Sequence, residues 1–387
     1  MLPAWFRARP LVVAIPVRNE AERINACLSA LASQREACLT HVVLLLNNCT
    51  DNTPDCVRDH AVCLPFPVSV IMRTYPSSIA HVGTARREAM EIAAGIAGPG
   101  GLLFTTDADG APAPDWLVNT LAAFDRGADA VCGRAVIDPV EALLIPAHLH
   151  RDDAAESAYA TLLDRIHDLI DPDPHDPWPR HTEHSGASIA VSVAGWERAG
   201  GIPALPLGED RGFLAALRRV DAAIRHAPDV VVTVSGRVKG RAPGGMADTM
   251  ARRLVRQDDM LDDALEPAAA CLRRAQARAR LRGVYGLPPG GAAWQAAIGR
   301  LAGQLHLYPR QVAEITRSPF FGMAWDRLEA AAAVMLRRRP VRRAELKQET
   351  RRAERIVRHL LAARSTSPYP AATGPGGLLP PLSMSSR

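Results

Sequence analysis

Two aspartates one residue apart, Asp107 and Asp109, close the stretch Leu102-Leu103-Phe104-Thr105-Thr106-Asp107-Ala108-Asp109-Gly110. On an extended chain residues i and i+2 share a side. Two carboxylates so placed at a strand's end can hold a hard divalent cation that also grips phosphates. Taken alone the spacing is short and common, and it describes a solvated turn equally well. A second acidic pair, Glu209-Asp210, opens a helical stretch, where anions suit the positive end of the helix dipole. Three cations, Arg237, Lys239 and Arg241, alternate in the glycine-containing segment 235–245. That composition suits a loop closing over a diphosphate through charge and backbone amides, or a plain basic surface loop.

These groups need elements to position them. Leu11 to Pro16 is an unbroken apolar run ended by proline, as a buried parallel strand would be. Ile24, Leu28 and Leu31 then recur at helical spacing. His41–Leu46, Val68–Met72, Leu102–Thr106, Asp129–Val136, Ser185–Ser192 and Val230–Val234 read as further strands, and the segment opening at Gly83 reads as a helix to about Ala94. Strands alternating with helices predict a doubly wound α/β sheet, whose ligands sit at the carboxyl ends of its strands. On this reading Asp107 and Asp109 face one way from an extended chain, and Pro112 and Pro114 stop further pairing. The turn after the first strand has no G-x-G-x-x-G, so nothing supports a nicotinamide or flavin role.

Composition narrows the remaining classes. The chain has 387 residues, 48% of them hydrophobic, enough for one large domain or two smaller ones. No apolar run approaches the ~20 residues that cross a bilayer, and the first residues lack the sustained apolar segment of a secretory signal, so the expected compartment is cytoplasmic. Seven cysteines, without a CxxC pair, support neither a disulfide framework nor a structural zinc site. The net charge of +5 hides an asymmetry: residues 250–364 hold 23 basic and 11 acidic side chains, the remainder 23 and 30. Solvated Arg-rich helix faces account for that excess, and no nucleic-acid partner is expected.

In order along the chain stand Ile15-Pro16-Val17-Arg18-Asn19-Glu20, the turn Asn47-Asn48-Cys49-Thr50-Asp51, Gly83-x-Ala85-Arg86, and Asp107-Ala108-Asp109 with its Pro-x-Pro-Asp-Trp-Leu tail. The set resembles family-2 glycosyltransferases of the GT-A fold, over about residues 10–245. The resemblance implies a nucleotide-diphosphate sugar donor, an acceptor hydroxyl, and Mg²⁺ or Mn²⁺. It places Pro16, Arg18 and Glu20 along the base and ribose. Asn47 and Asn48 stand near the base where the family commonly has aspartates, and an amide presents donors as well as acceptors. Asp51 matches the acid closing that turn, with a helix cap as the alternative. Arg86 would approach the diphosphate, Asp107 the ribose or metal, and Asp109 would be the main cation ligand. Gly186 matches a small residue that lets the acceptor sugar approach, and His184 lies beside it. By the same match Asp210, next to Glu209, is the general base of an inverting transfer. An alcohol needs such a base within hydrogen-bond reach, and a neighbouring acid can raise its pKa.

Residues 138–180 fit the pattern less well and read as an insertion flanking the acceptor pocket. Histidines 148, 150, 167, 175, 181 and 184 crowd there without an H-x₃-H pair on a helix, so a separate metal site is not expected. Helices are expected at 250–265, 268–282, 292–305, 310–315, 325–338 and 342–363. This helical part, 246–364, lies beyond the resemblance; it is available to cover the donor site, bind acceptor, pair subunits into a homodimer, or rest on anionic lipid through 328–339. Residues 365–387, rich in Ser, Pro and Gly, are expected to be disordered. A sugar-phosphate nucleotidyltransferase would need a glycine-rich loop after the first strand, which Pro16 to Glu20 does not supply. A non-catalytic nucleotide-sugar-binding protein is disfavoured by the presence of Asp107, Asp109 and Asp210 together.

Overall fold

The computed structural model describes residues 9–237, 240 and 245–365. Eight strands form one mixed sheet: β1 Leu11–Val17, β2 His41–Asn47, β3 Val68–Arg73, β4 Leu102–Thr105, β5 Ala111–Pro112, β6 Ala130–Ile137, β7 Ile189–Ser192 and β8 Ile224–Val234. Their order is β3-β2-β1-β4-β7-β6-β8-β5.

Strand direction decides where the site can be. β3, β2, β1 and β4 are mutually parallel, so the turns after β1, β2 and β4 emerge at one edge. β7 runs antiparallel to β4 and pairs Ile189 with Thr105, which brings the residues before β7 to that same edge. β6 is antiparallel to β7 and parallel to β8, so the turn after β8 emerges there as well. Segments from five distant parts of the sequence therefore converge.

Successive strand residues point to opposite faces, and both faces of β1 and β2 are covered. Val13, Ile15, Leu44 and Leu46 pack with Ile24, Leu28 and Leu31 of the helix Ile24–Ala32. Val12, Ala14, Val43 and Leu45 pack with Ala85, Ala89 and Met90 of the helix Val82–Ala97, and with Phe213 and Leu217 of the helix Glu209–Arg219. Burial on both sides explains why these strands read as continuous apolar runs rather than alternating ones.

Several expectations are corrected. The extended chain ends at Thr105, and Asp107 to Gly110 is a turn in which Gly110 N donates to Asp107 O at 3.0 Å. Pro112 does not stop sheet pairing: Ala111 and Pro112 pair with Thr233 and Val232 at the sheet's edge, where a missing N–H is tolerated. The helix expected over 250–265 is Met246–Val255, and Leu261 and Leu265 follow as loop residues.

The chain divides into two compact units. The first runs to Asp153 and resumes over Pro174–Asp258; the second comprises Ala154–Asp173 and the chain from Asp259. The stretch 138–180 is thus not one insertion. The helix Ala147–Ile170 begins in it, and its stripe Tyr159, Leu163, Ile166 and Leu169 packs with Leu265, Ala268, Cys271 and Leu360 of the second unit. That unit's regular elements among the described residues are helices, joined by loops that carry an isolated antiparallel bridge between Met260 and Arg342. Leu328 and Leu336 are buried in its core while Val334 is exposed. No helix among the described residues is long and apolar enough to cross a membrane. The expected disordered tail, like Lys239 and Arg241, lies outside the described residues, Ser365 excepted.

Candidate functional site

Arg86 is the hub of the site. It lies one turn into the helix Val82–Ala97, which His81 caps by accepting from Thr84 N at 3.2 Å. Gly83 lets that helix press against the chain before Asp210, since a Cβ there would meet Leu205 O at 2.0 Å. The Arg86 side chain is 3% exposed. Its Nη2 donates to Asp107 Oδ1 at 2.6 Å, Nε to Glu209 Oε1 at 3.1 Å, and Nη1 to Thr105 Oγ1 at 2.8 Å and Gly186 O at 3.0 Å. A planar fork of five donors meets this divergent set of acceptors as an ammonium would not. Burial works against the charge, but the carboxylates of Asp107 and Glu209 outweigh it and push the guanidinium pKa up.

Asp210 joins through Gly186. Gly186 N donates to Asp210 Oδ2 at 2.9 Å, while Gly186 O accepts from Arg86. Asp210 Oδ1 accepts from Arg211 N at 2.7 Å. One peptide segment thus links the aspartate after β4 to the aspartate opening the helix Glu209–Arg219. Glu209 is buried and pairs with Arg86, rather than serving as a free acid beside Asp210.

A second guanidinium holds the other carboxylates. Arg237, just after β8, forks onto both oxygens of Glu20 and lies 3.1 Å from Asp109 Oδ2. Glu20 is placed by Thr53 Oγ1, which accepts from Glu20 N at 2.9 Å. The Asp109 pKa is raised to about 6, first by burial and then by the Asp107 carboxylate; Arg237 pulls it down only in part. A cavity of about 130 Å³ beside Asp109 is lined by Arg23, Cys27, Asp138, Thr233 and Ser235 among others.

The remaining expected residues have varied placements. Pro16 is buried in β1 opposite Leu45. Arg18 donates to Ala80 O at 3.0 Å. Asn47, at the end of β2, is 2% exposed and its Oδ1 has no hydrogen-bond partner. Asn48 is not available in the same way, because its amide makes a reciprocal pair with Tyr75 N and O at 3.0 Å each. Asp51 accepts from Thr53 Oγ1 at 2.6 Å and Thr53 N at 3.1 Å, just before the helix Thr53–Ala61, whose N-cap position is Asn52. Burial would raise the Asp51 pKa, but these bonds hold it low.

Three expectations change character. Arg86 does not face outward toward a diphosphate, because four internal acceptors hold it. Gly186 is small for a different reason: a Cβ there would come within 2.8 Å of Arg86 Cζ. His184 is engaged from behind, its Nε2 accepting from Arg218 at 2.9 Å and its ring 5.2 Å from that of His226. Burial, then Arg218, lowers the His184 pKa to about 2.

Sequence reasoning missed the supporting residues. Thr105 is the end of an apolar strand and gives no signal of being an acceptor for Arg86. Glu141 Oε2 accepts from Ser235 Oγ at 2.9 Å and Gly236 N at 2.6 Å, and its Oε1 pairs with Arg23 at 2.7 Å, so it fixes the turn that carries Arg237. Asp176 supports the histidines, accepting from His226 Nδ1 at 2.7 Å and His226 N at 2.9 Å. Its partners are about 50 residues away in sequence, and only the alignment of β8 joins them.

Comparisons with known proteins show what the chain is similar to. The model of glycosyl transferase family 2 matches residues 12–175. No curated protein matches the sequence. Among solved structures, a mannosyltransferase from Pyrobaculum calidifontis in complex with GDP-Man and Mn²⁺ is 19% identical, with TM-score 0.42, covering 92% of this chain and 85% of that one. TarS of S. aureus in complex with UDP is 14% identical, TM-score 0.41, covering 83% and 90%. Glucosyl-3-phosphoglycerate synthase from Mycobacterium tuberculosis, in complex with Mn²⁺, UDP and phosphoglyceric acid, is 15% identical, TM-score 0.40, covering 65% and 79%. The matched segment carries β1 to β6, with Arg86, Asp107 and Asp109 in it. Residues 12–175 of the chain thus carry the match to glycosyl transferase family 2.

Proposed function

We propose that the protein transfers a sugar from a nucleotide-diphosphate sugar to an acceptor hydroxyl, with inversion, using Asp210 as the general base. The observation that supports this best is the Arg86 network, which ties Asp107 and Asp210 into one unit through Gly186. In the proposed reaction Asp210 takes the acceptor's proton as its oxygen attacks the anomeric carbon. The bond from that carbon to the diphosphate breaks on the opposite face, and the nucleoside diphosphate leaves. The backbone amides of Gly186 and Arg211 hold the Asp210 carboxylate in place, as a base must be held within hydrogen-bond reach.

The acids around Asp109 fit a divalent cation. The Asp109 pKa is raised first by burial and then by the neighbouring Asp107 charge, which Arg237 offsets only in part. Oxygen donors of this kind suit Mg²⁺ or Mn²⁺. Asp109 with Asp107 would hold it, and the ion would neutralise charge on the diphosphate. Glu20 and the buried Asn47 amide would line the nucleoside, with the unpartnered Asn47 Oδ1 accepting from the base. The neighbours' complexes with GDP-Man, UDP, Mn²⁺ and Mg²⁺ agree with this choice of ligands.

Incubating the full chain with uridine, guanosine and thymidine diphosphate sugars and Mn²⁺ tests the reading. Release of nucleoside diphosphate, abolished by chelator and by Asp210→Asn, is expected. Absence of turnover and of donor-induced thermal stabilisation across the panel would overturn it.

A further inference from the structure

His167, Glu266 and Cys271 come together in the second unit, although 104 residues separate the first from the last. One ligand atom from each lies within 4.8 Å of the other two. It is the one such group of three His, Cys, Asp or Glu side chains among the described residues. His167 stands in the last turns of the helix Ala147–Ile170, and Cys271 in the first turn of the helix Ala268–Tyr285. Glu266 immediately precedes the second helix. Cys271 is fully buried and Glu266 is 2% exposed.

The cluster carries a mark that packing alone does not explain. Glu266 Oε2 is buried without a hydrogen-bond partner. Glu266 Oε1 makes an ion pair with Arg274 Nε at 3.0 Å. A carboxylate oxygen left bare in a protein interior is costly. Its backbone is nevertheless held firmly: Tyr159 Oη donates to Glu266 O at 2.7 Å, and Ala268 N donates to Glu349 Oε2 at 2.8 Å. Cys271 Sγ donates to Leu163 O at 3.5 Å, one turn before His167.

We propose that His167, Glu266 and Cys271 bind a zinc ion that staples these two helices. The donor set is one thiolate, one imidazole and one carboxylate, which selects zinc over magnesium or calcium. Tetrahedral zinc with bonds of about 2.0–2.3 Å places its ligands roughly 3.4–3.7 Å apart. The cluster therefore needs only a small contraction. A neutral His167 ring presents one lone-pair nitrogen to the ion. Binding releases the Cys271 proton to solvent. The three ligands then change from a net charge of −1 to a neutral site, a gain of one positive charge. Of the nearby cations, Arg274 is paired with Glu266 and Glu329, and Arg278 and Arg282 with Asp171, while Arg338 also acts on all three ligands. Burial and then the Glu266 carboxylate push the Cys271 thiol pKa up, so the ion must displace that proton as it binds. Water completes the coordination.

The site is independent of the glycosyl-transfer reading, and so is its test. Full-length protein freed of metal by chelator is loaded with one equivalent of Co²⁺ in the presence of excess Mg²⁺. A near-ultraviolet thiolate-to-cobalt charge-transfer band is expected, bleached by one equivalent of Zn²⁺. Asp109→Asn should keep the band and Cys271→Ser should lose it. His167→Gln should weaken Zn²⁺ binding at least about tenfold. No band in the wild-type protein, a band that survives in a folded Cys271→Ser, or unchanged Zn²⁺ affinity in His167→Gln would each overturn the site. If circular dichroism shows Cys271→Ser to be unfolded, the wild-type spectrum and the His167→Gln affinity decide.

Discussion

A Cβ on residue 186 would stand 2.8 Å from both Cζ and Nη2 of Arg86. The guanidinium cannot retreat, because Asp107, Glu209, Thr105 and the carbonyl of Gly186 hold it. Gly186→Ala is therefore expected to disrupt the network that links Asp107 to Asp210. Activity should fall at least about a hundredfold, with a lower melting temperature. Calorimetry alongside a nucleoside-diphosphate release assay checks both effects.

Removing the guanidinium is expected to be worse. Arg86→Ala leaves Glu209 buried without its cation, a loss of about 3–5 kcal/mol by analogy with other broken buried pairs. Arg86→Lys should recover little, since an ammonium cannot span acceptors on β4, the turn before β7 and the helix Glu209–Arg219. Urea unfolding of the three proteins measures the difference.

Asp210→Asn keeps the size of the side chain and an oxygen for the Gly186 amide. The fold and donor affinity should survive while kcat falls by roughly 10²–10⁴, the usual worth of a positioned base. A comparable fall in donor affinity would mean that Asp210 holds the donor rather than the proton.

Arg237 forks onto Glu20 and also reaches Asp109. Arg237→Ala removes the cation that competes for those carboxylates. Mn²⁺ should then bind the nucleotide-free protein more tightly, by a fewfold or more, which isothermal titration can read. Weaker Mn²⁺ binding would show that Arg237 assists rather than competes.

His181 and His184 are expected to contribute to the loss of stability in acid. Burial is the first cause in both; His226 then lowers His181 to about 4, and Arg218 lowers His184 to about 2. Both folded values lie below the ordinary 6.5, so below that pH the unfolded chain binds more protons. Stability should then fall as pH drops from about 6.5, by at most about 1.4 kcal/mol per pH unit for each group. His184→Gln should flatten that slope between pH 6 and 4 in denaturant titrations.

Much of the chemistry was legible in residue types and order. β1, β2 and β4 read as buried strands because both faces are covered, and the acids after them stand where parallel strands end. The family pattern of Glu20, Arg86, Asp107-x-Asp109 and Glu209-Asp210 is a property of the linear chain. Sequence alone therefore determined an α/β fold and a helical region after it, and it supplied the acids to which the proposed reaction assigns roles. Tertiary structure decided what each charge faces. That Arg86 is an internal brace, that Gly186 is small to make room for it, and that Arg237 lies on Glu20 and Asp109 all depend on strand directions that local periodicity does not encode. His167, Glu266 and Cys271 show the same limit in the helical unit. Metal-ligand spacing is readable only when one element carries the ligands, and here two helices far apart in the sequence, with the loop residue Glu266 before the second, must pack before the three side chains meet.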